Sequence, residues 1–203
     1  LGTDSLSSTV DDSRYFIRAG YDTLDSFGFP TEGIRVLSEF SIYDAKLGAT
    51  KQYEGVTLDL LYPFYHSGRT TLVGQGYAGY LFETDVVDVT PRYSLGGFTR
   101  LTGYSPDEIS GRHAGLISLI GYQRLNEQSV FPIDQPLFIG FSLEAGNVFQ
   151  ERERVRWSNM LTGGSVFIGV DTAVGPGYLS IGRTEGGRQS VTLSIGRPFA
   201  ERN

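Results

Sequence analysis

Leu137-Phe138-Ile139-Gly140-Phe141-Ser142-Leu143-Glu144-Ala145-Gly146 places Leu137, Ile139, Phe141, Leu143 and Ala145 on one face of an extended chain and Gly140, Ser142, Glu144 and Gly146 on the other. Successive side chains of a strand point to opposite faces, so this stretch reads as a strand with one apolar side and one side of small or polar groups. A helix would need apolar residues recurring every three to four positions, and no sustained stripe of that kind runs through the chain. The same grammar returns in Val56, Leu58, Leu60, Tyr62 and Phe64 against Thr57 and Asp59, and in Val191, Leu193, Ile195 and Phe199 against Thr192, Ser194 and Gly196. Each run is about nine residues or longer, the length a tilted strand needs to cross a hydrocarbon layer, whereas strands of water-soluble proteins run to about 5–6 residues. The small polar face suits the interior of a barrel.

Further blocks of this type lie near 13–24, 33–46, 70–83, 111–125, 163–174 and 177–184, for about nine in all. Short turn signals separate some of them, namely Pro30-Thr31-Glu32-Gly33, His66-Ser67-Gly68-Arg69 and Gly175-Pro176-Gly177, while longer polar stretches occupy 84–110 and 150–160. Short turns at one rim and long loops at the other are the asymmetry of an outer-membrane barrel. Aromatic residues gather near strand ends, at Tyr62, Phe64 and Tyr65, at Tyr80 and Phe82, and at Phe149 and Trp157, as an interfacial girdle requires. The expected fold class is therefore all-β, an antiparallel transmembrane β-barrel with 8–9 strands in this chain. Residues 1–12 form an N-terminal segment, and 13–203 form the barrel domain with a long loop at 84–110.

Composition agrees. The 203 residues include 27 Gly, 12 Tyr and 13 Phe, with no Cys, one Met and one Trp. Every apolar run is interrupted within a few positions, so no helical span is present, and a barrel does not need one. A net charge of −6 with no basic face argues against a nucleic-acid partner. Without cysteine there are no disulfides or thiolate metal sites, and neither His66 nor His113 has a carboxylate cluster at ligand spacing, so no metal or other cofactor is expected. No Gly-x-Ser-x-Gly elbow exists; Gly163-Gly164-Ser165 lacks the last glycine and starts a strand, so no catalytic residue is assigned. The run Glu151-Arg152-Glu153-Arg154 with Arg156 reads as a solvated loop surface. The chain begins at Leu1 without an initiator Met, as a processed product or a piece of something larger would.

The stretch Leu95-Gly96-Gly97-Phe98-Thr99-Arg100-Leu101-Thr102-Gly103-Tyr104 resembles the Gly-Gly…Val-Arg-Gly-Phe segment in the long sixth extracellular loop of the BamA/TamA outer-membrane assembly-factor superfamily. Asp22-Thr23-Leu24-Asp25 with Phe29-Pro30-Thr31-Glu32-Gly33 resembles a periplasmic turn of that family, Gly146-Asn147-Val148-Phe149 a hairpin signature, and Gly175-Pro176-Gly177-Tyr178-Leu179 the turn before the last hairpin. Val191 to Phe199 resembles the terminal strand read by the insertion machinery, which makes Val191, Leu193, Ile195 and Phe199 the insertion signal. The resemblance implies a bacterial outer-membrane location, outer-membrane lipid and the insertion machinery as partners, and a loop that plugs the lumen through Gly96, Gly97, Arg100, Leu101, Thr102, Gly103 and Tyr104. In the family a loop arginine meets acidic wall residues. Here Thr102 stands at the arginine's position, Glu144 at one acidic position and Ile120 at the other, which leaves two readings of Arg100, a partner of Glu144 or a solvated loop arginine. The Leu-Thr-Gly-Tyr version of the loop is similar to barrels attached to patatin-like phospholipases, in which lipase residues would lie outside this chain.

The matched motifs belong to the C-terminal half of a sixteen-stranded barrel. An open sheet edge in lipid leaves backbone groups unsatisfied, so three arrangements remain open: a small closed barrel, two copies sharing one barrel as a homodimer, and a fragment of a larger wall. The expected function is a scaffold that anchors, exports or helps insert a polypeptide. The alternatives are a water-soluble β-barrel or sandwich binding an apolar ligand, with large residues inside and polar ones outside, and a passive diffusion pore.

Overall fold

The computed structural model describes residues 14–44, 46, 53–82, 93–125, 135–172 and 175–196. Nine long strands follow one another: β1 (Arg14–Asp22), β2 (Arg35–Tyr43), β3 (Tyr53–Ser67), β4 (Thr70–Leu81), β7 (His113–Arg124), β8 (Leu137–Phe149), β9 (Leu161–Thr172), β10 (Gly175–Thr184) and β11 (Arg188–Ile195). Two short ones, β5 (Tyr93–Leu95) and β6 (Ile109–Gly111), pair only with each other, between β4 and β7. The nine lie in chain order in one sheet, each antiparallel to the one before, with β1 and β11 at its two edges. All nine blocks expected from period-2 alternation are strands. The Gly175-Pro176-Gly177 turn signal is corrected: these residues open β10 and pair with Val170–Thr172 of β9. Proline is tolerated at the start of a strand, where one missing donor costs little.

The outer face is apolar along its middle. Leu143, Val166, Ile168, Ile181, Leu193 and Ile195 are all exposed, and their alternate neighbours Ser142, Glu144, Ser165, Ser180 and Gly182 point inward and are covered. That is the reverse of a water-soluble barrel, and an apolar face of this extent calls for lipid rather than water as its solvent. At the short-turn rim a bulge between Pro63 and Tyr65 lets both Phe64 and Tyr65 face outward beside Tyr62. Phe40, Tyr80 and Phe82 form the second outer belt at the other rim, with Phe82 centred 6.2 Å from Phe40 and 5.3 Å from Tyr80. Phe149 does not join this girdle as an exposed ring: it is buried, and the backbone at Gly111 of β6 packs against its main chain.

The interior is less uniformly small than the sequence of β8 and β11 suggests. Leu61, Val73, Ile120, Tyr122, Phe167 and Tyr178 form an inward apolar cluster towards the short-turn rim, and Leu81, Leu95, Leu101 and Leu116 form another towards the long-loop rim. Two inserted pieces of chain account for them. One is the loop carrying β5 and β6; the other is the β1–β2 connection, whose Phe29 stacks on Phe138 at 3.7 Å and meets Tyr122 edge-on. Tyr178 Oη donates to the Gly28 carbonyl at 2.6 Å and Tyr122 Oη to that of Pro30, so the connection reaches from the first hairpin to β7 and β10. Asp25 organises it by accepting from Thr31 N–H at 2.8 Å, Thr31 Oγ1 at 2.5 Å and Glu32 N–H at 3.2 Å. On the first strands the inner face is charged: Arg35 pairs with Asp59 at 3.2 Å, and Glu39 bridges Arg14 and Arg18.

Candidate functional site: a loop docked in the lumen

The loop between β5 and β6 turns on two glycines. Gly96 (φ +127°) donates its N–H to the Arg100 carbonyl at 2.8 Å, and Gly97 (φ +93°) donates to that of Tyr104 at 3.0 Å. A Cβ at Gly96 would sit 2.1 Å from the Ser105 carbonyl oxygen, so both dihedral and space require glycine there. Thr99 and Leu101 also adopt left-handed backbone, at φ +61° and +72°. A β-branched residue rarely does, at a cost of about 1–2 kcal/mol, and both side chains are fully buried where surrounding contacts hold them.

Four strands of the wall grip the tip. Thr102 N–H donates to Glu144 Oε2 at 2.6 Å, and Thr102 Oγ1 donates to Glu144 Oε1 at 2.5 Å, on β8. Gly103 N–H donates to Thr184 Oγ1 on β10 at 3.0 Å, Ser190 Oγ of β11 donates to the Thr102 carbonyl, and Ser118 Oγ of β7 donates to that of Thr99 at 2.9 Å. A Cβ on Gly103 would fall 2.5 Å from Thr184 N, and one on Gly182 would fall 2.5 Å from Thr102 Cγ2, so the wall's backbone closes on Gly103 and the Thr102 side chain closes on Gly182. Beside the tip, Phe98 packs on Phe167 at 5.0 Å and Tyr178 at 5.1 Å.

Glu144 is 4% exposed. Besides Thr102 it accepts from Ser142 Oγ, and among the described residues it makes no ion pair. A buried carboxylate without a cation depends on such donors, since charge-assisted hydrogen bonds are roughly twice as strong as neutral ones. The expected Arg100–Glu144 pair is therefore corrected. Arg100 turns away from Glu144 towards β4, two strands along the sheet, where its guanidinium lies 4.3 Å over the Tyr77 ring, and it donates to the Ser94 carbonyl of β5 at 3.2 Å. Thr102 takes the position beside Glu144 and bonds both carboxyl oxygens. Ile120 is fully buried in the apolar cluster facing Ser142.

Of the remaining expected residues, Leu101 anchors the second apolar cluster, and Tyr104 carries the Arg188 guanidinium 5.4 Å over its ring. Val191, Leu193 and Ile195 lie outward on β11, while Phe199 and residues 84–92 of the loop lie outside the described residues, as do 1–12. His66 bonds Thr71 at 2.9 Å beside the β3–β4 turn, and His113 lies against the Tyr80 ring at 4.6 Å at the start of β7. Sequence reasoning missed Ser118, Thr184 and Ser190 as holders of the loop. Their signal is two adjacent inward rows of mostly small residues, Ser118, Glu144, Gly163 and Thr184 in one and Ser142, Ser165, Gly182 and Ser190 in the next, which line up only once the strand register is known.

An apolar outer wall, aromatic belts at both rims and a loop turned into the interior define an outer-membrane β-barrel. Residues 3–196 match the Omp85 superfamily domain, and the chain belongs to that superfamily, whose place is the bacterial outer membrane. Its fold is similar to that of BamA from Haemophilus ducreyi in a form lacking POTRA domains 1–3: TM-score 0.68 at 14% identity, covering 88% of this chain and 41% of that one. The chain thus spans less than half the length of that relative. No curated protein matches it. Membership gives it the superfamily's general setting of membrane assembly and translocation.

Proposed function

We propose that this chain is the wall and plug of a scaffold that anchors, exports or helps insert another polypeptide, with the 84–110 loop as its lumen plug. The observation that carries the proposal is the docking of Thr102 and Gly103 on Glu144 and Thr184 through hydrogen bonds alone. At this contact the tip leaves by exchanging hydrogen bonds, without separating a buried ion pair; the loop's ion pair to the wall among the described residues, Glu108 with Arg188 at 2.9 Å, is not buried. The Leu-Thr-Gly-Tyr loop supports the branch attached to patatin-like phospholipases, and in this reading any lipase residues are on sequence outside this chain. The edges of β1 and β11, unpaired among the described residues, need a cover in lipid, and a second copy of the chain meets that need with one shared barrel.

A tether tests the plug. The chain has no cysteine, so Thr102→Cys with Ser190→Cys gives a single oxidisable pair across the loop and β11. In liposomes carrying the protein, insertion of a urea-unfolded outer-membrane barrel is expected to accelerate in the reduced state and to fall to the rate of empty vesicles when oxidised. Equal rates in both states, or no acceleration at all, would remove the proposal. A steady ion conductance unaffected by the tether would favour the diffusion pore.

A further inference from the structure

The segment 150–160, read from sequence as a solvated loop, folds down onto the outside of the wall. The Asn147 amide of β8 donates to the Asn159 carbonyl at 2.6 Å, and Met160 Cε lies 3.4 Å from where a Cβ on Gly115 of β7 would stand. Residues 147 and 115 both belong to the outward row of their strands, the row that carries Leu143 and Ile117 nearer the middle of the apolar face. Two single 3-10 turns, Arg152–Arg154 and Trp157–Asn159, therefore sit against the outer surface at the long-loop rim, which in such barrels faces the exterior.

Trp157 is 73% exposed and Val155 is exposed beside it. Arg152 lies 5.8 Å over the ring of Tyr80, in the aromatic belt. Arg183 is on the outward row of β10, two residues beyond the lipid-facing Ile181, where that apolar row ends. Arg154 is neutralised by Glu151 at 3.0 Å, and Arg156 bonds only the Glu153 backbone carbonyl, at 3.1 Å. Arg152, Arg156 and Arg183 make no ion pair among the described residues. The chain carries a net −6, so guanidinium groups without an ion pair among the described residues, two of them close in sequence to one exposed indole within 152–157 and a third at the same rim on β10, are not a general property of its surface.

We propose that this outer rim is a binding site for the phosphate groups of exterior-leaflet lipid. Arg152, Arg156 and Arg183 hold the phosphate oxygens, and Trp157 and Val155 enter the boundary between headgroups and chains. The chemistry matches at both ends: guanidinium presents paired donors to a phosphate, and an indole settles where one side is apolar and the other wet. A free phosphate would leave Trp157 and Val155 in water. The site rests on the membrane setting of the wall and not on the plug.

Trp157 is the sole tryptophan, so the protein's intrinsic fluorescence reports on this position alone. The full chain is reconstituted in phosphatidylcholine vesicles containing a small, equal fraction of bromine-labelled lipid, either phosphatidic acid or phosphatidylcholine. Brominated phosphatidic acid is expected to quench Trp157 by about twofold or more beyond its zwitterionic counterpart, since each surface arginine enriches anionic lipid around it. In Arg152→Gln/Arg156→Gln/Arg183→Gln, checked for an unchanged heat-dependent gel shift, the two labels quench equally. Equal quenching in the unaltered protein, or none with either label, overturns the proposal. Loss of the preference on adding inorganic phosphate at the same bulk concentration overturns the lipid assignment in favour of a free-anion site.

Discussion

At Glu144 the loop tip and the wall share a buried carboxyl group that makes no ion pair among the described residues. Hydrogen bonds to a charged group contribute about 1.5–3 kcal/mol each, so Glu144→Gln and Thr102→Val are each expected to lower resistance to urea in detergent by about that much. The two are not additive: a double-mutant cycle should return a coupling of about 1–2 kcal/mol. Arg100 gives a contrast, because its contacts are Tyr77 and Ser94. Reversing Arg100 and Glu144 together should show coupling near zero in the same assay, and a rescue by the double reversal would mean the two side chains do meet. Asp25 supplies a pH dependence at the other end of the molecule. Burial raises its carboxyl, but the hydrogen bonds from Thr31 and Glu32 outweigh that and leave it below the ordinary aspartate value. A lowered value in the folded state means the stabilisation is complete above the unfolded aspartate's pKa and is lost as pH falls through the lowered one. Thermal unfolding of Asp25→Asn beside the unaltered protein should therefore differ at neutral pH and converge in acid.

The strands were legible because one chemical alternation served two solvents. Leu143 and Glu144, adjacent in sequence, face lipid and lumen, and that contrast fixes both the strand and its inward side. What could not be read was the content of the lumen. Phe29 and Phe98 look like loop aromatics in the sequence, yet each is buried against Tyr178, a strand residue 149 and 80 positions later, and no local periodicity records a contact of that separation. The role of Gly182 was hidden for the same reason: its missing side chain matters only because Thr102 arrives there. The alternation does predict how β10 answers substitution. Leu179→Arg puts a charge on the apolar row further from the rim and should cost up to about 2–4 kcal/mol, more than Ile181→Arg nearer the rim, whereas Ser180→Thr on the lumen side of the same strand should change little. Urea unfolding in lipid vesicles measures all three.

For the whole molecule, the question is what covers β1 and β11. Ala19→Cys and Leu193→Cys mark the two edge strands of a chain that has no other cysteine. Under oxidation, a barrel shared between two copies gives a cross-linked dimer when the two variants are mixed or combined, and a barrel closed by one chain gives an internal link with monomer mobility on a gel. The dimer is the expected product, and an exclusively internal link would remove the shared barrel. The β1–β2 connection bears on how either form is reached. Its grip on Tyr122 and Tyr178 works like a bowstring: it spans the chord of the arc and holds the sheet bent without help from the seam. A wall strung in this way can keep its curl while its first and last strands are still searching for a partner, so that shape comes before closure.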